Sequence, residues 1–234
     1  MKLVVAATPD VAIPTIEELR KDHEVVIVTQ PDRPAGRGKQ LKPSEVALHF
    51  SEVLKPENES ELAEILKGSD LLITIGYGRI LKPETLSIPT HGGINLHFSL
   101  LPRWRGAAPV QRAIEAGDTQ TGVTVFQMDA GMDTGPIWVQ HSFEIPSGFT
   151  SPELFDALSR IGVGAVKESL EKIERGDTPA AQSGSASVAA KVSKEECRID
   201  WNSSANQILL KIAAFSFNPG VYSCIRGEQI KISR

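Results

Sequence analysis

An α/β architecture built on a doubly wound, mostly parallel sheet is expected from three stretches of the chain. Leu3 to Ala7 is a short, unbroken apolar run before a turn at Thr8-Pro9, the pattern of a strand buried on both faces. A helical stretch from about Ile13 to Lys21 and a second apolar run, Val25 to Val28, complete a βαβ unit, for which a right-handed crossover is expected. Leu71 to Ile75 is a further buried strand of the same kind. A linker and an incomplete C-terminal β subdomain are expected to follow.

The connecting segments take their places in order. Residues 30–43 hold Pro31, Pro34 and Pro43, Gly36 and Gly38, and four cations, Arg33, Arg37, Lys39 and Lys42. An irregular loop of that length inside a compact domain is expected to carry function, the plainer reading being a solvated connector. Ser44 is expected to cap a helix over Glu45 to Glu52. Asn58 or Ser60 caps another through Lys67, with Gly68 as its stop. Gly76-Tyr77-Gly78 leaves the C-terminal end of the Leu71–Ile75 strand.

A helix over about Ala108 to Ala116 ends at Gly117, and strands are expected at Thr121 to Gln127 and Ile137 to Phe143. Ser151-Pro152-Glu153 opens a long helix to about Ile173, with proline in its first turn. From Gly176 to Val192 the chain turns small and polar, which reads as a flexible boundary. A short helix near Ala205 to Phe215 and two strands, Val221 to Ile225 and Gln229 to Ile232, close it.

Composition bounds the possibilities. At 234 residues, 41% hydrophobic and 23% charged, the chain is globular material for one main domain plus an appendage. Its apolar opening is too short for a secretory segment or a membrane span, so the protein is expected to be cytoplasmic and without membrane contact. A monomer is expected. Cys197 and Cys224 form no Cys-x-x-Cys pair, and the five histidines show no ligand spacing, so neither a disulfide framework nor a metal is expected. A net charge of −4 argues against coating nucleic acid by bulk attraction. It leaves room for local basic surfaces, in the loop already named and where Arg103, Arg105 and Arg112 cluster. Gly38-Lys39 has Arg33 where a phosphate loop needs its first glycine, and Gly76-Tyr77-Gly78 lacks the third glycine of a dinucleotide fingerprint, so neither ATP nor NAD is expected.

The most informative stretch runs from Asn95 to Gln111. After the apolar approach Gly93-Ile94, alternation along an extended segment places Asn95, His97 and Ser99 on one face and Ile94, Leu96 and Phe98 on the other. Pro102 and the Gly106 to Pro109 run then end the strand. Polar side chains at the C-terminal end of an α/β strand stand where ligands bind. An isolated His97 would read as a hydrogen-bonded histidine at a strand end.

About thirty residues on, Gln127-Met128-Asp129-Ala130-Gly131-Met132-Asp133-Thr134-Gly135-Pro136 forms a loop between two strand-like runs. The pairing of Asn-x-His-x-Ser-Leu-Leu-Pro with this Met-Asp-x-Gly-x-Asp-x-Gly resembles the folate-dependent formyltransferase family. The flank Pro102-Arg103-Trp104-Arg105-Gly106-Ala107-Ala108-Pro109-Val110-Gln111 and the loop Thr29 to Lys39 are similar to those members that act on methionyl initiator tRNA. The resemblance covers residue 1 to about 220.

The resemblance implies a Rossmann-like formyltransferase fold over residues 1–182, a linker over 183–200, and over 201–234 the start of a tRNA-binding barrel whose remaining strands the chain does not carry. It also implies that the third strand of the family, near Val53 to Glu57, is rudimentary here. The formyl donor would be 10-formyltetrahydrofolate. Asn95 and His97 would stabilise the developing oxyanion, while Asp133 would orient the imidazole, favour its charged form and take up a proton through water. Ser99, Leu100, Leu101 and Pro102 would wall the folate site together with Tyr77 and Gly78, the latter two mostly through backbone groups. Plain packing is the other reading of Tyr77. Arg33, Arg37, Lys39 and Lys42 would enter the acceptor stem, and Arg103 and Arg105 would lie nearer its 3′ end.

Phe98 departs from the small residue or proline usual in relatives, and altered packing with intact chemistry is expected there; Ala7 stands where the family has glycine, a departure that bears on how closely a ligand backbone can approach the turn at Thr8-Pro9. Three other activities compete with tRNA formylation: formyl transfer to a small amine or to water, a Ser99–His97–Asp133 nucleophilic triad, and a non-catalytic RNA-binding remnant. The triad is disfavoured because Ser99 shares one short segment with its supposed base and no nucleophile elbow is present.

Overall fold

The computed structural model describes residues 1–35 and 40–233. Arg37 and Lys39 therefore lie outside the described residues.

Strand β1 (Lys2–Ala7) is fully buried from Leu3 onward, as its unbroken apolar run requires. Helix α1 (Ile13–Leu19) carries Pro14 in its first turn, where a missing N–H costs nothing, and leads to β2 (Glu24–Val28). The basic loop, expected to be irregular, is a short antiparallel hairpin of β3 (Arg33–Ala35) and β4 (Gln40–Lys42). Pro34 is compatible with this because the hairpin is a two-stranded sheet with free edges.

Ser44 caps α2 (Glu45–His49) by accepting from Ala47 N, and the helix stops three residues earlier than expected, at an extended Phe50. The third strand of the family survives as one parallel bridge between Val28 and Leu54. Asn58, rather than Ser60, caps α3 (Glu59–Leu66), and Gly68 follows with φ +72°.

Strand β5 (Leu71–Ile75) is buried throughout and is followed by the single-turn α4 (Pro83–Leu86) and by β6 (Gly93–His97). Then come β7 (Arg105–Gly106), α5 (Pro109–Glu115), β8 (Gln120–Gln127), β9 (Ile137–Glu144) and the 24-residue α6 (Ser151–Glu174). The last elements are β10 (Val188–Ala189), α7 (Ala205–Phe215), β11 (Val221–Ile225) and β12 (Glu228–Ile232). A complete capping box starts α7, with Ser204 and Gln207 each satisfying the other's backbone N–H.

The main sheet has the order β2-β1-β5-β6-β8-β9. Strands β2, β1, β5 and β6 are parallel, whereas β6 and β8 are antiparallel. The chain moves outward from β1 to β2 and then returns across β1 to β5, so the strand order reverses between β1 and β5. A crevice forms beyond the C-terminal ends of parallel strands at such a reversal.

The chain divides into two compact units whose segments interleave. The first holds Met1–His97, Thr124–Gln140 and Ser159–Gln182. The second holds Phe98–Val123, His141–Leu158 and Ser183–Arg234. Within the second, α5 packs against α7, β7 pairs with β10, and β11 with β12 forms a hairpin. Arg112 fastens these pieces. Its guanidinium is paired with Glu115 at 2.8 Å and Glu196 at 2.9 Å, donates to Ala190 O, and lies over the Phe215 ring.

The segment from Gly176 to Val192, expected to be flexible, is pinned at several points. Within the first unit Ile137 and Ala180 exchange both backbone hydrogen bonds. Within the second, Ser187 O accepts from Arg105 N and β10 pairs with β7. Small polar residues here allow close backbone pairing rather than looseness. No helix among the described residues is long and apolar enough to cross a membrane.

Candidate active site

In the first unit the C-terminal ends of β1, β2 and β5 open on a cleft of about 180 Å³. Its lining includes Thr8, Gln30, Arg33, Lys42, Tyr77 and Gly78. Gly76 turns the chain at the end of β5 with φ +57°, and a Cβ there would lie 2.7 Å from Pro9 Cγ, so the loop can press on the turn after β1 only with glycine in this place.

Gln30, 3% exposed, is the hub of the cleft. Its Nε2 donates to Tyr77 O at 2.8 Å, and its Oε1 accepts from Arg33 Nη2 at 2.6 Å and from Arg79 Nε at 3.1 Å. The start of the basic hairpin is thereby tied to the loop after β5. Thr8 Oγ1 donates to the same Tyr77 carbonyl.

Tyr77 itself is 3% exposed and packs with Leu62, Leu66, Leu81 and Leu86, and burial pushes its phenol above the ordinary value. The reading of Tyr77 as packing thus describes its side chain, while its carbonyl is what shapes the cleft. Gly78 is exposed, with open space where a Cβ would stand, so its backbone is accessible.

The next strand over, β6, brings Asn95 and His97 to the same end of the sheet. Asn95 lies directly opposite Thr74 of β5 in the parallel register. The Thr74 hydroxyl donates to Asn95 Oδ1 at 2.8 Å, its shortest contact, with Met128 Sδ at 3.3 Å and Ile94 O at 3.4 Å as alternatives. This bond decides which way the carboxamide faces. Its oxygen is held against the sheet, and its Nδ2 is the end left to donate. No hydrogen bond to Nδ2 is found among the described residues.

His97, 6% exposed, stacks edge-on to Phe126, and its Nδ1 lies 3.7 Å from Asp133 Oδ2. Asp133 belongs to the loop after β8 and takes φ +56°, a conformation that costs a non-glycine residue about 1–2 kcal/mol. The loop is therefore over-determined. Asp129 Oδ1 accepts from Gly131 N at 3.0 Å and from Thr134 Oγ1 at 2.8 Å. Gln182 Nε2 donates to both Asp133 O and Gly135 O. The structure thus brings Asn95, His97 and Asp133, distant in sequence, to one end of the sheet.

The other predicted residues fall in the second unit. β6 ends at His97, so Ser99 is beyond the strand rather than on its polar face. It is fully buried, and its Oγ donates to Arg103 O at 2.7 Å. That bond closes the loop from Ser99 to Arg103. Leu101 is buried and precedes Pro102 through a cis peptide bond, while Leu100 is half-buried. Phe98 packs edge-on against Phe155, on the core side as its alternation predicts.

Arg103, half exposed, pairs with both carboxylate oxygens of Asp118 through Nε at 3.0 Å and Nη2 at 2.6 Å, and stacks on Trp104. The same carboxylate raises its pKa and accepts from Trp104 Nε1. Arg105 is half-buried on β7. In the basic hairpin Arg33 and Lys42 are exposed and sit directly opposite each other. A larger depression of about 460 Å³, lined by Thr119, Gln120, Glu144 and Ile145, contains none of the predicted residues. Among the described residues no group of three or more His, Cys, Asp or Glu is placed to hold a metal ion.

Three residues of this apparatus escaped the sequence reading. Thr74 could have been found, since it is the one polar residue in an otherwise apolar strand. Gln30 and Gln182 carry no such signal, because their roles depend on contacts 47 to 49 residues away.

Residues 1–169 match the formyl transferase family, and residues 191–234 match the formyl transferase C-terminal domain. The chain belongs to the formyl transferase family. Among its relatives, the methionyl-tRNA formyltransferase of Xanthomonas euvesicatoria pv. vesicatoria is 41% identical over 244 residues, covering 99% of this chain and 80% of the relative. The solved methionyl-tRNA formyltransferase from Clostridium thermocellum shares the fold with a TM-score of 0.73 at 18% identity, over 100% of this chain and 92% of that one. HypX from Aquifex aeolicus, solved in complex with tetrahydrofolic acid, does so with a TM-score of 0.77 at 20% identity, over 100% of this chain and 37% of that one.

Proposed function

We propose that the chain transfers the formyl group of 10-formyltetrahydrofolate to the amino group of methionyl initiator tRNA, giving N-formylmethionyl-tRNA for translation initiation. The observation that carries this reading is the His97–Asp133 pair at 3.7 Å beside an Asn95 whose carboxamide is already turned by Thr74. The relative that covers this chain almost end to end is named for the same activity. On this reading residues 1–182 hold the catalytic apparatus, 183–200 are a linker, and 201–234 belong to a part that contacts tRNA.

The chemistry is acyl transfer to an uncharged amine. A C–N bond forms to the formyl carbon, negative charge builds on its oxygen, the amine nitrogen gives up a proton, and the carbon–N10 bond breaks as N10 takes a proton in turn. Asn95 donates from Nδ2 to the developing oxyanion, and protonated His97 adds a charged donor beside it. Asp133 keeps the imidazole facing the reacting carbon, supports its positive charge, and takes the amine's proton through water. Nearly buried surroundings strengthen these interactions relative to water. The donor's one-carbon unit is the substrate of this machinery, and the accessible backbone at Gly78 suits the edge of a flat, hydrogen-bonding ring.

Charge favours an RNA acceptor. Arg33 and Lys42 meet across a hairpin fastened to the cleft through Gln30, which suits phosphate contacts better than a small amine requires. The test is formylation of charged initiator tRNA against charged elongator methionine tRNA. The initiator is expected to be formylated and to require the donor. Equal rates of formyl release with and without RNA would favour the small-amine or hydrolase reading instead.

A further inference from the structure

The loop that carries Asp133 leaves the sheet at Gln127 and returns at Ile137, and from Asp129 to Met132 it is exposed. Asp129 holds the loop from within, through Gly131 N and Thr134 Oγ1. From outside the loop, two bonds from one side chain fasten the stretch that begins at Asp133. Gln182 Nε2 donates to Asp133 O at 2.9 Å and to Gly135 O at 2.8 Å, so both protons of a single amide group are aimed at carbonyls on either side of Thr134. The side chain is itself anchored. Two residues upstream Ala180 is locked to Ile137 by a reciprocal pair of backbone hydrogen bonds, at 2.6 and 2.9 Å.

We propose that Gln182 is a positioning residue for formyl transfer, clamping the Asp133 loop so that the carboxylate stands against His97. The proposal rests on the function argued above for Asn95, His97 and Asp133. Gln182 acts on formyl transfer through where it puts Asp133. It is also the last residue of the first unit.

Released from both bonds, the loop loses the clamp that complements its internal Asp129 bonds, and the carboxylate drifts from the ring. A misplacement of about 1 Å in such a group costs roughly 100-fold in rate. Gln182→Met keeps length and volume and removes the donor. Gln182→Glu keeps size and polarity but, ionised, offers only acceptors to two carbonyls, and serves if the methionine variant fails to fold. Both are expected to lower kcat by about 10- to 100-fold while KM for 10-formyltetrahydrofolate stays within about twofold of the unsubstituted chain.

The second readout is the His97 imidazole in the NMR spectrum at fixed pH. In either variant its resonances should move toward those of Asp133→Asn. A kcat within about twofold of the unsubstituted chain, or His97 resonances that stay in place, would overturn the proposal. An unsubstituted chain that forms no product would instead overturn the functional reading, and the His97 resonances would still decide the role of Gln182.

Discussion

Asn95→Ala is expected to slow formyl transfer by about 100- to 1000-fold, the loss of roughly 2.7 to 4 kcal/mol that removal of one oxyanion donor brings. The loss should fall on kcat, because the donor is strongest where charge develops, and KM for both substrates should change little. Stability should change little too, since Asn95 is only partly buried and its amide nitrogen holds nothing else together among the described residues. Thr74→Val tests the same claim from the other side. It keeps the strand's packing and removes the hydroxyl that fixes the carboxamide, at 2.8 Å. A neutral hydrogen bond of about 1 kcal/mol sets its effect at roughly fivefold, well short of Asn95→Ala. Single-turnover rates on methionyl initiator tRNA check both. An alanine variant within a few-fold of the unsubstituted rate would remove Asn95 from the chemistry.

Gly135→Ala should be nearly as damaging by a different route. A Cβ at this position would stand 1.8 Å from the backbone oxygen of Gln127. Backbone cannot rotate out of the way as a side chain can, so one segment must move by about 1 Å or more to restore ordinary contact. The oxygen belongs to the end of β8, which is held in register by β6 through the Ile94–Gln127 pair, and the loop is the softer partner. The loop carrying Asp133 therefore shifts. A displacement of that size predicts a kcat loss of about 100-fold. Overpacking should also cost about 1–3 kcal/mol, seen as a lower Tm. Unchanged activity and Tm together would mean that the loop is not pressed against β8 at all.

The parts of this molecule that a reader of the sequence recovers are those whose physics is local. Leu3–Ala7 and Leu71–Ile75 are unbroken apolar runs, and each is a strand buried on both sides. Ser44 and Asn58 stand before helical patterns and cap them. The alternation of Asn95, Leu96 and His97 alone sets Leu96 on the opposite face of the strand from the other two. Spacing says nothing of what meets across the fold. Asp133 lies 36 positions beyond His97, and only resemblance to a family links the two in the sequence.

The basic loop shows the limit in another form. Its prolines and glycines read as irregular structure, yet Arg33–Ala35 and Gln40–Lys42 pair, because a hairpin needs only a few backbone bonds and an edge where proline's missing donor is harmless. The run from Gly176 to Val192 misleads for the converse reason. Ala180, Gln182, Ser187 and Ala189 are small or polar because other strands approach them closely, and composition alone does not separate that from flexibility.

Most of what Asp133 contributes in this mechanism is exerted through His97, and a double-mutant cycle on formyl transfer measures that coupling directly. His97→Asn and Asp133→Asn are compared with the double variant in single-turnover formylation of methionyl initiator tRNA. If the carboxylate works through the imidazole, the double variant should be no slower than the slower single one by more than about threefold. Losses that multiply, each substitution exacting its full cost in the presence of the other, would show two independent groups and contradict the account.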